Sequence, residues 1–326
     1  MDMKFLRLNT TDPYYNLAVE EYLFRHATEE VFMLWQNAPC VVIGKNQNAY
    51  AEINMDVARR DGIAVVRRIT GGGAVYHDGG NLNYTFIAVN GNTSLDFARF
   101  CAPIIDALCE VGLTAALSGR NDLTVDGKKI SGNAQHSANG KTLHHGTLLF
   151  DSDLEKLSSV LHVDEEKLRT KSIRSVRSRV INLKTLLPQL QDVDALSALI
   201  SHHVLKKYNA TRIDTPICEE IDVLRQRNAS REWIFPDREL LSRYSVVKKT
   251  RYPFGSVEIA MEMSNVTIRD VCIRGDFFAM SPIEELEAIL RGKTLSEIED
   301  VLFNMNVGSY ICGMNAQMLA SQMCRE

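Results

Sequence analysis

Apolar positions along the chain follow two periods. Between residues 13 and 25 they stand at Tyr14, Leu17, Ala18, Tyr22 and Leu23, which places them on one helical face. Thr11 or Asp12 would cap this helix, with Pro13 in its first turn. VFMLWQ and CVVIGKNQN, separated by Asn37-Ala38-Pro39, read as two short strands, and a short helix over residues 56–61 ends at Gly62. IAVVRRI and LNYTFIAV are rich in β-branched and aromatic residues and read as strands on either side of RRITGGGAVYHDGG. That glycine run therefore joins two sheet strands as a wide loop. A helix over residues 96–111 closes at Gly112, LTVDGKKISG holds a tight Asp126-Gly127 hairpin turn, and HHGTLLF ends in a strand. Helical segments follow from Asp153 to about Tyr208.

After about residue 235 the pattern changes. Val257, Ile259, Met261 and Met263 alternate with polar partners, Ser264-Asn265 turns the chain, and residues 271–273 return it. Ser281-Pro282-Ile283-Glu284 reads as a capping box with proline at the first helical position, ahead of the stripe Ile283, Leu286, Ile289 and Leu290. Thr294 and Glu297 repeat the device before Leu295, Ile298, Val301 and Leu302. A hairpin and two or three helices make a small second domain, so the expected division is 1–245 and 246–326.

Composition narrows the class. The chain has 326 residues, 45% hydrophobic and 24% charged, enough for a real core. A net charge of −4 and a pI near 6.1 give no global basic field, which argues against nucleic acid as a partner. No apolar run approaches the ~20 residues that span a bilayer, so no membrane partner is expected. MDMKFLRLNTTD lacks the apolar stretch of a secretory signal. Seven widely spaced cysteines without a CxxC suit reduced thiols, and hence a cytoplasmic location, better than disulfides or a zinc site.

Four constellations carry candidate chemistry. The glycine run matches neither a dinucleotide fingerprint nor a P-loop; at Gly140-Lys141-Thr142 the leading glycine of a P-loop is replaced by Gln135. Its backbone N–H groups can cradle an anion with Arg67 and Arg68 as counter-charge, or it is a flexible hairpin with surface arginines. In GRNDLTVDGKKISGNAQ, Lys129 beside Ser131-Gly132 can bind phosphate and Asp122 can hold magnesium; the alternative is a polar hairpin with solvated lysines. His144 and His145 are adjacent on a strand, point to opposite faces and cannot share one ion. His77 could join either, but no third ligand is evident. KLRTKSIRSVRSRVINLK, residues 167–184, holds seven Lys or Arg and no acid. It folds over phosphates, meets an acidic partner, or is a solvated loop.

Taken in order and spacing, RRITGGGAVYHDGGNLNYTF, GRNDLTVDGKKISG, HHGTLLF and SIRSVRSRVINL resemble the lipoate–protein ligase family, as do NLAVEEYLF and WQNAPCVVIGKNQNAYAEIN before them. CIRGDFF resembles part of that family's accessory domain. The resemblance implies an α/β fold: the mixed sheet shared with biotin ligases and class II aminoacyl-tRNA synthetases, plus a small α+β C-terminal domain. GGGAVYHDGG stands where biotin ligases alternate glycine and arginine, so biotin is not the favoured acid. The implied reaction joins lipoate to ATP, giving lipoyl-AMP and pyrophosphate, then transfers lipoyl to a lysine of an acceptor domain such as the glycine cleavage H protein or a 2-oxoacid dehydrogenase E2 subunit.

The resemblance also assigns residues. Lys129 is the catalytic lysine, touching lipoate carboxylate and α-phosphate. Arg68, Gly73, Ala74, Val75, Tyr76 and Asp122 would bind ATP, with Arg177 and Ser178 in an adenylate-binding loop over residues 171–183. Gly71, Gly72, His77, Asn81, His145 and Gly146 would bind lipoate, and Asp122 would carry Mg2+. Lys128 lies one residue off the motif.

Three competing readings remain. A cysteine-dependent acyltransferase shares the fold, but Leu117-Ser118-Gly119-Arg120 offers no thiol and no cysteine stands between Cys109 and Cys218. A lipoyl or octanoyl amidotransferase would move the acyl group between carriers without ATP while keeping most of these motifs. A non-catalytic assembly factor predicts a damaged site, whereas Arg68, Lys129, Asp122 and the glycines all remain. Where the family often carries a W-x-x-G-x-x-P stretch before the accessory hairpin, this chain has REWIFPDREL, with Trp233 and Pro236, and then a divergent stretch before YPFG.

Overall fold

The computed structural model describes residues 3–89, 95–162 and 180–324. Its first strands are β1 (Met3–Arg7), β2 (Glu30–Trp35), β3 (Cys40–Ile43), β4 (Ala64–Arg67), β5 (Val75–His77) and β6 (Asn81–Ala88). β7 (Ala115–Ser118), β8 (Asp122–Val125), β9 (Lys128–Ala138), β10 (Lys141–Leu149) and β11 (Thr211–Arg212) follow. Eight of them form a main mixed sheet in the order β11-β1-β2-β6-β10-β9-β8-β7, and the other three a small sheet, β4-β3-β5. The two strands read at VFMLWQ and CVVIGKNQN thus belong to different sheets. The glycine run leaves β4, pairs briefly as β5 against β3, and enters the main sheet as β6. It links two sheets rather than two neighbouring strands.

Helix Pro13–His26 forms where the spacing places it, and the Asp12 carboxylate accepts from the Tyr14 and Tyr15 N–H groups at 2.9 and 3.2 Å. It covers one face of the main sheet with Leu17, Ala18, Val19 and Leu23, and also buries Asn16, Glu20 and Glu21. Helices Phe97–Glu110 and Val193–Lys207 cover the other face. There Phe100, Ile104, Leu196 and Ile200 pack on Leu82, Tyr84, Phe86 and Leu148. Each such side chain contributes about 1.5–3 kcal/mol when fully buried. At the β8–β9 hairpin, Asp126 and Gly127 both take positive φ (50° and 74°), the geometry that an Asp-Gly turn supplies.

The C-terminal part is built on a third sheet, antiparallel, of β12 (Val246–Tyr252), β13 (Gly255–Ser264) and β14 (Thr267–Gly275). Its apolar face, with Val257, Ile259 and Met261, packs on helix Ile283–Leu290 and the helices beyond. β12 escapes the hydrophobic pattern because VVKKTRY is a half-exposed edge strand. The Thr294–Glu297 capping box forms, but the one read at Ser281 does not. Pro282 caps the helix, and the Ser281 N–H that Glu284 would have taken is bonded instead to Ser309 O at 2.9 Å. Among the described residues no helix is long and apolar enough to cross a membrane.

Candidate active site

One row of residues runs straight across the main sheet. Trp35 on β2 pairs with Asn83 on β6, Asn83 with Thr147 on β10, and Gly132 on β9 with Asp122 on β8; the Gly132 N–H donates to Thr147 Oγ1 at 3.3 Å and joins the two halves. All five line a cavity of about 290 Å³. At its closed end Trp35 and Asn83 are buried, while at its open end Asp122 and Lys129 are about a third exposed. Arg120, Arg251 and Asp276 ring that mouth, Arg251 from the first strand of the C-terminal sheet and Asp276 from just beyond its last.

Lys129 reaches the cavity through an irregularity. Gly132 pairs with Asp122 and Ser131 with Leu123, but the next pair is Lys129 with Thr124, so Ile130 is an extra residue. This bulge turns Lys129 onto the cavity face, which strict alternation would deny it. Its ammonium lies 2.7 Å from the Asp122 carboxylate, and a Cβ on Gly132 would come within 3.0 Å of it. Gly132 is small because the lysine lies over it. Beyond the basic segment, the Ile181 N–H donates to Lys129 O at 2.9 Å and holds the returning chain beside the lysine.

The glycines serve the fold more than the cavity. A Cβ on Gly71 would lie 2.4 Å from Phe277 O, and Gly72 takes a φ of +91° while its N–H donates to Phe277 O. The close approach is therefore to the segment that leaves β14, the last strand of the C-terminal sheet. Arg68, expected to neutralise phosphate, spends its N–H groups on Thr70 Oγ1 and the carbonyls of Val42, Gly71 and Gly73. It braces the loop from within; burial pushes its pKa down to about 10, although its guanidinium still borders the cavity. Arg67 points the other way and is buried against Glu239 at 2.7 Å and the carbonyls of Trp233 and Ile234. The divergent REWIFPDREL stretch is thereby locked to the base of the glycine loop.

A buried polar network backs the cavity. Trp35 Nε1–H donates to Thr85 Oγ1 at 2.9 Å, Thr85 donates to Glu20 at 2.6 Å, and His145 Nδ1–H donates to the same carboxylate oxygen at 2.9 Å. Thr70 Oγ1 lies 2.8 Å from His145 Nε2 and links this chain to Arg68. His144 faces away and stacks on Phe100, where burial holds its pKa well below the usual value. The two histidines do lie on opposite faces, and among the described residues no group of three or more His, Cys, Asp or Glu could hold a metal ion.

Of the residues singled out by sequence, Arg68, Gly73, Ala74, Val75, His77, Asp122, Lys129, His145 and Gly146 line the cavity. Gly71, Gly72, Tyr76 and Asn81 do not: Tyr76 packs on Val41 and Ile43, and Asn81 donates to Asn83 Oδ1 at 2.8 Å. Gly146 contributes backbone only. On the opposite face a Cβ would meet Asn133 Oδ1 at 2.2 Å and the Tyr84 ring at 2.6 Å, because the Tyr84 hydroxyl crosses this glycine to reach Asn133. Arg177 and Ser178 lie outside the described residues. Glu20, Trp35, Thr70, Asn83, Thr85 and Arg120 were missed. The alternation Asn81-Leu82-Asn83-Tyr84-Thr85-Phe86 was the signal that could have found two of them. None of the seven free cysteines lines the cavity.

Residues 12–204 match the family described as lipoyl protein ligase A/B catalytic domain, and residues 242–323 that described as bacterial lipoate protein ligase C-terminus. The chain is 38% identical over 315 residues to Lipoate-protein ligase LplJ of Bacillus subtilis, covering 93% of this chain and 94% of that one. Among solved structures it resembles P. falciparum LipL1 in complex with lipoate (TM-score 0.84, 25% identity, 99% of this chain and 100% of that one). It also resembles lipoate-protein ligase A bound with ATP (TM-score 0.63, 25% identity, 72% and 99%). With both halves matched and the likeness running nearly end to end, the chain belongs to the lipoate–protein ligase family.

Proposed function

We propose that this protein condenses free lipoate with ATP, releasing pyrophosphate and forming lipoyl-AMP, and then passes the lipoyl group to a lysine of an acceptor lipoyl domain. The observation that carries this reading is the Lys129 ammonium at the open end of the cavity row. A carboxylate must attack a phosphate, and two anions repel. A fixed cation between them favours the approach and the extra charge of the transition state, worth on the order of 10²–10³ in rate. Arg120 has a buried Nη1 without a partner among the described residues, placed at the same mouth to meet nucleotide phosphate. Gly73, Ala74 and Val75 line the same cavity.

The acyl chain lies along the row toward Trp35, whose buried end takes the apolar carbons of the chain out of water. Asp122 and Asp276 are the carboxylates at the mouth. Two such groups suit a magnesium ion held mainly by nucleotide oxygens and water, and that ion would offset triphosphate charge. The same reading makes a glycine cleavage H protein or a 2-oxoacid dehydrogenase E2 subunit the acceptor.

The test is lipoate-dependent exchange of labelled pyrophosphate into ATP. The wild-type protein should catalyse it, and Lys129→Ala should lower it by at least about a hundredfold while remaining folded. An amidotransferase, a thiol transferase or a scaffold would show no exchange at all.

A further inference from the structure

Two N–H groups at the closed end of the cavity are left over after every hydrogen bond there is assigned. The assignment starts at Asn16, whose side-chain amide donates to the backbone carbonyls of Thr10 and Gln36 at 3.2 and 2.7 Å. Backbone oxygens can only accept, so that nitrogen is fixed, and the Asn37 Oδ1 it also contacts at 2.9 Å is an acceptor. Asn37 Nδ2 must then donate to His77 Nδ1 at 3.1 Å, and the His77 proton resides on Nε2. His77 Nε2 has no partner among the described residues, and His77 is 3% exposed on the cavity wall. Asn83, 1% exposed on the cavity floor, accepts through Oδ1 from the Asn81 amide at 2.8 Å, and in this arrangement its Nδ2 is unpartnered among the described residues.

The surroundings define what these donors can meet. Trp35, whose ring centroid lies 6.2 Å from that of His77, closes this end together with Leu17 and Val42. Burial, with the charge of nearby Arg68, pushes the His77 pKa down to about 3, so the imidazole is neutral at working pH, and Arg68 itself is spent on Thr70 and backbone carbonyls. Asn83 and Asp122 are three strand steps apart, about 14 Å at the usual spacing of ~4.8 Å. A carboxylate at Lys129 therefore sends the far end of a medium-length acyl chain to this pair. The matching group is uncharged, apolar enough for Trp35 and Val42, and able to accept a weak hydrogen bond; soft, polarisable sulfur meets all three demands.

Resting on the ligase reading for the placement of the carboxylate, we infer that His77 Nε2–H and Asn83 Nδ2–H read the dithiolane sulfur atoms of lipoate and thereby select it over a plain alkyl acid. An octanoyl end leaves both buried donors unmade, which is the costly side of hydrogen-bond exchange.

The probe is 5-cyclopentylpentanoate, which has the ring and chain of lipoate with carbon in place of sulfur. Titration calorimetry on the full chain measures binding of lipoate, the carbocycle and octanoate, with pyrophosphate exchange run alongside. The wild-type protein should bind lipoate about tenfold tighter than the carbocycle. Asn83→Leu should shrink that ratio about threefold, and His77→Phe with Asn83→Leu should bring it to unity. Equal wild-type binding of lipoate and carbocycle, or variants that weaken both acids equally, would overturn the inference without any appeal to folding. Selective binding without exchange would remove the ligase reading and leave sulfur selection standing.

Discussion

Strand β6 is buried on both faces, but the two are built from different chemistry. Leu82, Tyr84 and Phe86 enter an apolar cluster under two helices, while Asn83 lines the cavity, Asn81 bonds to Asn83, and Thr85 joins the network around Glu20. β10 repeats the division, with His144 and Leu148 on one side and His145 and Thr147 on the other. The apolar face gains free energy from area alone, in proportion to what it covers. The polar face gains little, since each donor there must find a partner or cost stability. A strand with both faces buried and one polar is thus holding groups for something other than the fold.

The largest expected effect lies where the faces interfere. Gly146→Ala puts a Cβ 2.2 Å from Asn133 Oδ1 and 2.6 Å from the Tyr84 ring, both confined by packing. The strand must shift, and destabilisation of about 3 kcal/mol is expected, read by urea unfolding. Gly73→Ala is the control, because a Cβ there meets nothing within 4 Å. Its stability should stay within about 0.5 kcal/mol of wild type. Equal stability of the two variants would mean that Tyr84 does not depend on that glycine.

Next comes pH. Burial depresses the His77 pKa to about 3, that of His136 to about 4, and that of His144 well below its usual value. Unfolded, each titrates near 6.5. Below that pH the unfolded chain binds protons that the folded chain refuses, so stability falls with acid, toward the folded pKa values, by about 1.4 kcal/mol per unit for each histidine. Above pH 6.5 these groups add no slope. His144→Phe removes one such group from the apolar face, so the loss of stability between pH 6.5 and 5 should shrink. An unchanged acid limb would show that His144 is not held neutral by its apolar surroundings.

Features made by neighbours in sequence were legible in advance: the Asp12 cap, the Asp126-Gly127 turn and the Thr294–Glu297 box all formed. Features made across the chain were not. Gly71 and Gly72 owe their identity to Phe277, some two hundred residues on, so the run could be read only as a loop that approaches something. Period-two alternation in β6 announces two faces but cannot say that the polar one is covered; that takes β2, β10 and helix Pro13–His26. Lys129 was picked out by family resemblance, while the bulge that aims it has no mark in GKKISG. Glu20 hid among the helical positions between apolar residues, where a solvated carboxylate is the ordinary expectation.

The smallest effect tests the comparison most directly. Thr85→Val keeps shape and volume on the polar face and removes one hydroxyl, so Trp35 Nε1–H loses its acceptor and Glu20 keeps only His145 on that oxygen. The stability cost should be about 1–2 kcal/mol, the low end for two buried hydrogen bonds lost together. If the polar face exists to position the closed end of the cavity, the freed indole should loosen acyl binding, raising KM for lipoate severalfold at nearly constant kcat in the full adenylation reaction. A variant with the same stability loss and unaltered KM would make Thr85 no more than a packing residue with a hydroxyl. The two faces of β6 would then differ in composition but not in purpose.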